Sequence, residues 1–207
     1  MVRLLTFLAF IISSVIFGQE GKYEQTMGKA LAIWKEGKTM EASAIFERIA
    51  FAEKKEWLPD YYIALINCTE AFNPINKEKS TDLINKAQTA LESAKNKSFK
   101  NDEINVLQAL IYLVTLVQDP MNNSIKYSPL IMTEYQTALI INPNNPRAVF
   151  GKAEFELGGA KWTGVDTKPL CEEINRSLEL FANFKPESPL HPKWGFERAK
   201  QVATTCK

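Results

Sequence analysis

Residues 134–158 constrain the fold of this chain more than any other segment. Apolar residues at helical spacing lead into the Pro-Asn-Asn-Pro sequence at 143–146, and a second helical pattern follows. Proline cannot continue a helix, because it lacks a backbone N–H and its ring clashes with the preceding turn. Small Ala138 permits close approach of two helices, and Tyr135, three residues earlier, can fill the groove between them. The segment therefore predicts two packed helices joined by a tight corner.

Apolar residues recur with a period near 3.6 along the rest of the chain, and no segment has the alternation typical of a strand. We predict helices at about 23–36, 40–55, 58–72, 80–95, 102–118, 130–141, 146–157, 169–182 and 194–205. Residues 121–129 are expected to be irregular, and the two glycines at 158–159 are expected to end the seventh helix. The predicted fold class is all-α, with about four antiparallel helical hairpins and a C-terminal capping helix.

Two parts of the chain resemble the tetratricopeptide repeat (TPR) family, in a short exported bacterial type with degenerate repeats. Ala42 and Phe46 stand at the alanine and aromatic positions of a second repeat helix. Tyr135, Ala138 and Pro143 are spaced like the back half of another repeat. The resemblance implies a TPR-like solenoid, in which hairpins stack in a right-handed sense and line a groove for a protein or peptide.

The N-terminus has the layout of a secretory signal peptide. Arg3 precedes an uncharged apolar run that extends to Phe17, and the small residue Gly18 follows. We predict a signal peptide at 1–18 and a single helical domain at 19–207 of a bacterial protein that is periplasmic or secreted. An uncleaved anchor is the alternative, but the run is shorter than the roughly 20 residues that span a bilayer, so no stable membrane span is expected after cleavage.

The charges of the predicted mature domain cancel. The formal net charge of the whole chain is +1, and Arg3 in the predicted signal peptide accounts for it. Nucleic-acid binding usually requires an excess of basic residues. We therefore expect no nucleic-acid partner.

Export makes disulfide formation possible for the three cysteines. Cys171 lies near the start of one predicted helix and Cys206 near the end of the next, and these ends are neighbours in an antiparallel hairpin. A Cys171–Cys206 bridge is therefore geometrically plausible, with two unpaired thiols as the alternative. Cys68 lies on an apolar helix and is expected to be a small buried side chain.

The sequence contains no recognisable catalytic constellation. His191 is the only histidine, and no cysteine stands at a spacing typical of a metal site. The acidic pairs at 102–103 and 172–173 lie in first helical turns, where negative charge complements the helix dipole. Gly158-Gly159 lacks the remainder of a phosphate-binding loop. We expect no enzymatic activity, no cofactor and no metal site.

The predicted connection at 160–167 is the most suggestive place for a contact with a ligand or partner. Trp162 and Asp166 are the candidate residues, because a large apolar side chain on an exposed loop is unusual. The alternative is that Trp162 folds back and covers the end of its hairpin.

The sequence therefore favours an exported scaffold or adaptor that binds an unidentified protein or peptide and has no catalytic activity. The alternative is a periplasmic protein that binds a small ligand, or a transporter accessory protein, with a TPR-like groove.

Overall fold

The structure is a computed structural model that describes residues 21–206. All regular secondary structure in this range is helical, and the range contains no strand. Helix α1 covers residues 21–35. It is followed by α2 (Thr39–Ala52), α3 (Leu58–Phe72), α4 (Ser80–Lys97), α5 (Asp102–Gln118), α6 (Pro120–Ile141), α7 (Pro146–Thr163), α8 (Thr167–Asn183) and α9 (Phe196–Ala203), with a short 3-10 helix (Pro74–Lys79) before α4. The predicted signal peptide at 1–18 lies outside the described residues.

The helices form a stack of antiparallel hairpins. Helices α3 and α4, α5 and α6, and α7 and α8 make the closest pairs, and α1 packs with α2 against α3. Helix α5 also contacts both α3 and α7, so these three helices form an inner layer. Helix α9 closes the stack by packing on α8. The predicted all-α fold of about four hairpins and a C-terminal helix is confirmed.

Small and aromatic residues lie where the hairpins are in closest contact. Ala42 and Phe46 on α2 are fully buried, and the Phe46 ring stacks on Tyr62 of α3 with 5.2 Å between ring centroids. Alanine lets the helix backbones approach, while the aromatic ring fills the space beside it. This packing explains the pattern that the sequence shows at these positions.

The predicted irregular segment at 121–129 is wrong, because α6 already begins at Pro120. Proline suits the first turn of a helix, where its missing N–H would have no partner. Pro129 lies inside α6 and removes one internal hydrogen bond. Its surroundings are exposed, and Ile125, whose carbonyl loses that bond, is 90% exposed. Water can therefore satisfy the free carbonyl, and the helix continues.

The predicted end of the seventh helix is also wrong. Helix α7 runs through Gly158 and Gly159 to Thr163, so the expected loop at 160–167 is mostly helical. Gly164, with φ +70°, is the residue that ends α7 in the left-handed conformation. Glycine in a helix interior lowers stability only by about 1 kcal/mol, and packing of the rest of α7 outweighs this loss.

Gly151 allows α6 and α7 to pack at the corner that the sequence indicates. A Cβ atom at this position would lie 2.6 Å from the ring of Tyr135, which is 3% exposed. We expect Gly151→Ala to lower the free energy of unfolding by about 1–3 kcal/mol, because the buried ring has little room to move. Urea unfolding at neutral pH measures this change.

Gly158→Ala is the matched control, since Gly158 lies on the same helix and nothing would lie within 4 Å of its added Cβ. We expect this variant to be more stable by up to about 1 kcal/mol, because alanine favours the helix. Equal effects of the two substitutions would contradict the packing described at Gly151.

Candidate functional site

Asn145 organises the corner between α6 and α7. Its side-chain oxygen accepts hydrogen bonds from the backbone N–H groups of Arg147 and Ala148, which caps α7. Its side-chain nitrogen donates to Asp102 and Glu103, at 2.8 Å in each case. The corner is therefore fixed to the first turn of α5 by the same side chain that starts α7.

Glu103 and Arg147 form a buried ion pair between α5 and α7. The Arg147 Nε donates to Glu103 Oε2 at 2.7 Å, and Nη2 donates to Oε1 at 2.6 Å. Both side chains are 1% exposed. Two parallel hydrogen bonds are the strongest geometry that an arginine and a carboxylate can adopt. The pair therefore fixes the relative position of two inner helices.

The surroundings keep both members of this pair charged. Burial alone would raise the pKa of the Glu103 carboxyl, but His191 and the Arg147 guanidinium hold that pKa below its ordinary value. Burial also opposes the charge on Arg147, but its hydrogen bonds to Glu103 raise the pKa of the guanidinium. The pair is thus ionised at neutral pH.

Residues 184–195, which we name the strap, cross the inner helices on their N-terminal side. The backbone carbonyl of Leu190 accepts a hydrogen bond from Tyr62 on α3 at 2.7 Å. Trp194 donates through its indole N–H to Tyr61 at 2.8 Å, and its carbonyl accepts from Arg147 on α7. The strap thus connects α8 to α3 and covers the Glu103–Arg147 pair before α9 begins.

His191 is buried beneath aromatic side chains of this region. Its Nε2 lies 3.9 Å from Glu103, and its ring faces Trp57 and Phe184 at centroid distances of 6.3 and 5.6 Å. The histidine is 9% exposed. It therefore serves the packing of the strap and has no open face to present to a substrate or metal.

A cleft lies between α7 and α9, which we name the α7–α9 cleft. It has a volume of about 270 Å³, and its lining residues are Glu154, Leu157, Gly158, Arg198, Gln201, Val202 and Thr205. Arg198 binds Glu154 across one end, with Nε 2.7 Å from the carboxylate. Leu157 and Val202 supply an apolar floor, and Gly158 leaves open space where a side chain would stand.

Lys161 and Trp162 follow the lining residues of this cleft on α7, towards the C-terminal end of the helix. Trp162 lies one helical turn beyond Gly158, and about 12 Å separate it from Glu154 along the helix axis. It is 81% exposed, and the Lys161 ammonium lies 4.9 Å from the centroid of its ring. The cleft therefore has an apolar floor and an ion pair, and an exposed indole lies one helical turn beyond its lining residues on α7.

Trp162 also belongs to a wider apolar surface. The turns within the hairpins lie on one edge of the stack, which we name the hairpin-turn edge. Of the described residues, twelve large apolar side chains are exposed, and eight of them lie on this edge. They are Met40, Phe72, Ile75, Val117, Met121, Ile125, Trp162 and Val165. Exposed apolar residues concentrated in one region are typical of an interaction surface.

A second depression of about 700 Å³ is formed by residues of α2 alone, namely Ala44, Glu47, Arg48 and Phe51. One helix face cannot enclose a ligand, so this depression is a shallow surface. The α7–α9 cleft has walls from two elements and is the better candidate site.

Of the two predicted contact residues, Trp162 is exposed on α7, whereas Asp166 caps α8. Trp162 lies on the last turn of α7 and is exposed, so it does not cover the end of its hairpin. Asp166 caps α8, and its side chain accepts a hydrogen bond from the Lys168 N–H at 3.0 Å. This bond gives Asp166 a structural role, while its contact with a ligand or partner stays a prediction.

Cys171 and Cys206 are joined in a disulfide with Cα atoms 5.4 Å apart. Cys206 directly follows Thr205, so the bond holds one wall of the α7–α9 cleft against α8. Cys68 is fully buried, and burial raises the pKa of its thiol well above the ordinary value. A thiol in this environment stays protonated and unreactive.

Residues 21–206 contain no group of three His, Cys, Asp or Glu side chains arranged to hold a metal ion. None of the helices in this range is both long enough and apolar enough to cross a bilayer.

Sequence reasoning missed the Glu103–Arg147 pair and the α7–α9 cleft. The sequence indicates only that Glu103 lies in a first helical turn, and its partner is 44 residues away, beyond any local pattern. The cleft depends on α7 continuing beyond its two glycines, and the sequence predicted that it would not.

We expect Glu103→Gln to lower the free energy of unfolding by about 3–5 kcal/mol at neutral pH, because it leaves a buried arginine without its countercharge. The folded pKa of Glu103 lies below its unfolded value of about 4.3. Its contribution is therefore complete above about pH 4.3 and is lost as the pH falls through the folded pKa. The difference between wild type and variant should shrink over that acidic range in urea unfolding.

Glu173→Gln is the control, since Glu173 pairs with Arg176 on an exposed helix face. Its removal should change stability by less than about 1 kcal/mol at any of these pH values. If Glu103→Gln lowered the free energy of unfolding no more than Glu173→Gln does, the buried pair would not hold α5 and α7 together.

No known family model matches this sequence, and neither does any curated protein. Among solved structures, the chain is similar to the HusA haemophore from Porphyromonas gingivalis. The two structures superimpose with a TM-score of 0.80 at 25% sequence identity, over 89% of this chain and 92% of that chain.

Proposed function

We propose that this protein is an exported, non-enzymatic carrier that binds haem or a related tetrapyrrole in the α7–α9 cleft. The observation that carries the proposal is the similarity to the HusA haemophore along nearly the full length of both chains. It favours the small-ligand alternative of the sequence analysis over the protein-binding scaffold. The Cys171–Cys206 disulfide supports export, because such bonds persist in oxidising compartments.

The shape of the cleft suits one edge of a flat ligand. Its volume of about 270 Å³ lies just below the roughly 300 Å³ at which sites that enclose a small molecule begin, so it can hold only part of a larger ligand. A tetrapyrrole would insert one edge over Leu157 and Val202, where Gly158 leaves space. The exposed ring of Trp162, one turn further along α7, would stack on the remainder.

The residues that line the cleft offer no axial ligand for haem iron. Haem proteins use histidine, methionine, cysteine or tyrosine for this purpose, and none of these lines the cleft. The only histidine, His191, is covered by aromatic side chains under the strap. Binding would therefore rest on apolar contact and stacking with the macrocycle, and the iron would supply no bond to the protein at this site.

The hairpin-turn edge favours a second candidate function, the protein- or peptide-binding scaffold. Ile75, Met121 and Ile125 are each about nine-tenths exposed on this edge, outside the α7–α9 cleft. Exposed apolar side chains of this kind commonly mark contacts with a protein partner. Failure of the purified protein to bind any tetrapyrrole would leave this scaffold function as the better explanation.

Haem titration of the purified protein tests the main proposal. We expect saturable binding with quenching of tryptophan fluorescence. Trp162→Ala should weaken binding about tenfold, since an aromatic stacking pair contributes on the order of 1 kcal/mol beyond the burial of its area.

Phe51→Ala is the matched control. Phe51 is 78% exposed on the last turn of α2, with the Lys54 ammonium 4.3 Å from its ring centroid, so it reproduces the setting of Trp162 away from the cleft. This variant should bind haem like the wild type. Weaker binding by Phe51→Ala with no effect of Trp162→Ala would place the ligand on α2 and contradict the proposed site.

Iron-free protoporphyrin should bind with an affinity comparable to that of haem, because no lining residue can coordinate the metal. Competition between the two ligands measures the ratio of their dissociation constants. Haem binding that is much tighter than porphyrin binding would indicate an iron ligand and would place the site outside the α7–α9 cleft.

A further inference from the structure

The cations around the α7–α9 cleft differ in whether they already have a partner. Arg198 binds Glu154 at 2.7 Å and Gln201 at 3.2 Å. Lys152, on the same helix as the cleft wall, binds Glu156 at 2.7 Å. Among the described residues, Lys161 has no carboxylate within 4.0 Å, and its ammonium instead lies over the Trp162 ring. Lys161 is therefore the cation at this cleft that is free to take an anion.

The two acidic residues nearest to Lys161 along the chain, Glu156 and Asp166, do not pair with it. Glu156 binds Lys152 at 2.7 Å. Asp166 stands beyond the end of α7, and its carboxylate caps α8 by accepting the Lys168 N–H. Lys168 itself adds a second positive charge to this connection. The connection from Lys161 to Lys168 thus carries two lysines and one carboxylate, in a chain whose overall formal charge is only +1.

The position of the Lys161 ammonium imposes a condition on the ligand. An ammonium over an indole is held by attraction to the ring face. A ligand that stacks on the same face of Trp162 must displace it. A neutral ligand would remove this attraction without replacing it, whereas a ligand with a carboxylate would give the ammonium a stronger partner.

We propose that Lys161 pairs with a carboxylate of the bound molecule, so that the α7–α9 cleft selects flat apolar ligands that carry an acidic side chain at their edge. This inference rests on the proposed function and adds to it the chemical class of the ligand. Lys161 acts as a specificity-determining residue, and Trp162 supplies the stacking surface beside it.

The test compares haem with its dimethyl ester, in which both carboxylates are blocked and the macrocycle is unchanged. The wild-type protein should bind haem about twofold to fivefold more tightly than the ester, the range expected for one solvent-accessible ion pair. Lys161→Gln should bind both ligands alike, and it should bind the ester at least as tightly as the wild type does, because no ammonium has to leave the Trp162 ring. Raising the salt concentration should also reduce the preference of the wild type.

Lys54→Gln is the matched control, because Lys54 lies over an exposed ring on α2 and away from the cleft. It should keep the wild-type preference for haem. Equal binding of haem and ester by the wild type, or a preference that survives in Lys161→Gln, would overturn the role of Lys161 and leave the proposed carrier function intact. Failure of both haem and ester to bind would overturn the carrier function and this inference together.

Discussion

The buried pair of Glu103 and Arg147 is the interaction on which the C-terminal half of the molecule depends. It joins the first turns of α5 and α7 through two hydrogen bonds, and Asn145 adds a third contact to the same carboxylate. Arg147 also holds the strap through the carbonyl of Trp194. A charge in a protein interior is tolerated only when it is fully partnered, so each contact in this cluster requires the others.

Local patterns in the sequence predicted which segments are helical, but they predicted less well where a proline or glycine ends a helix. Helices α3 and α5 have the predicted bounds, because an apolar period ends at a proline or polar break in each case. Pro129 and Gly158 misled the prediction, since each weakens a helix by an amount that packing and solvent can offset. Propensity is a local quantity, and whether a break is tolerated depends on neighbours that the sequence does not reveal.

The candidate site was only partly predictable for the same reason. Trp162 stood out as a large apolar residue near glycines, and it is exposed on the last turn of α7. The opposite wall of the cleft comes from α9, about 40 residues later in the chain, and its position follows from the path of the strap. No spacing rule connects Gly158 to Val202, because a long-range fold brings them together.

The disulfide between Cys171 and Cys206 gives the cleft a dependence on cellular location. Helix α9 is only eight residues long, and isolated helices of this length are marginal in water. The bond anchors the chain directly after the residues that form the cleft wall. Since such bonds form in oxidising compartments, the newly made chain would acquire a complete cleft only after leaving the cytosol. Under the proposed carrier function, maturation of the bond would thereby keep the protein from binding its ligand in the compartment where the chain is synthesised.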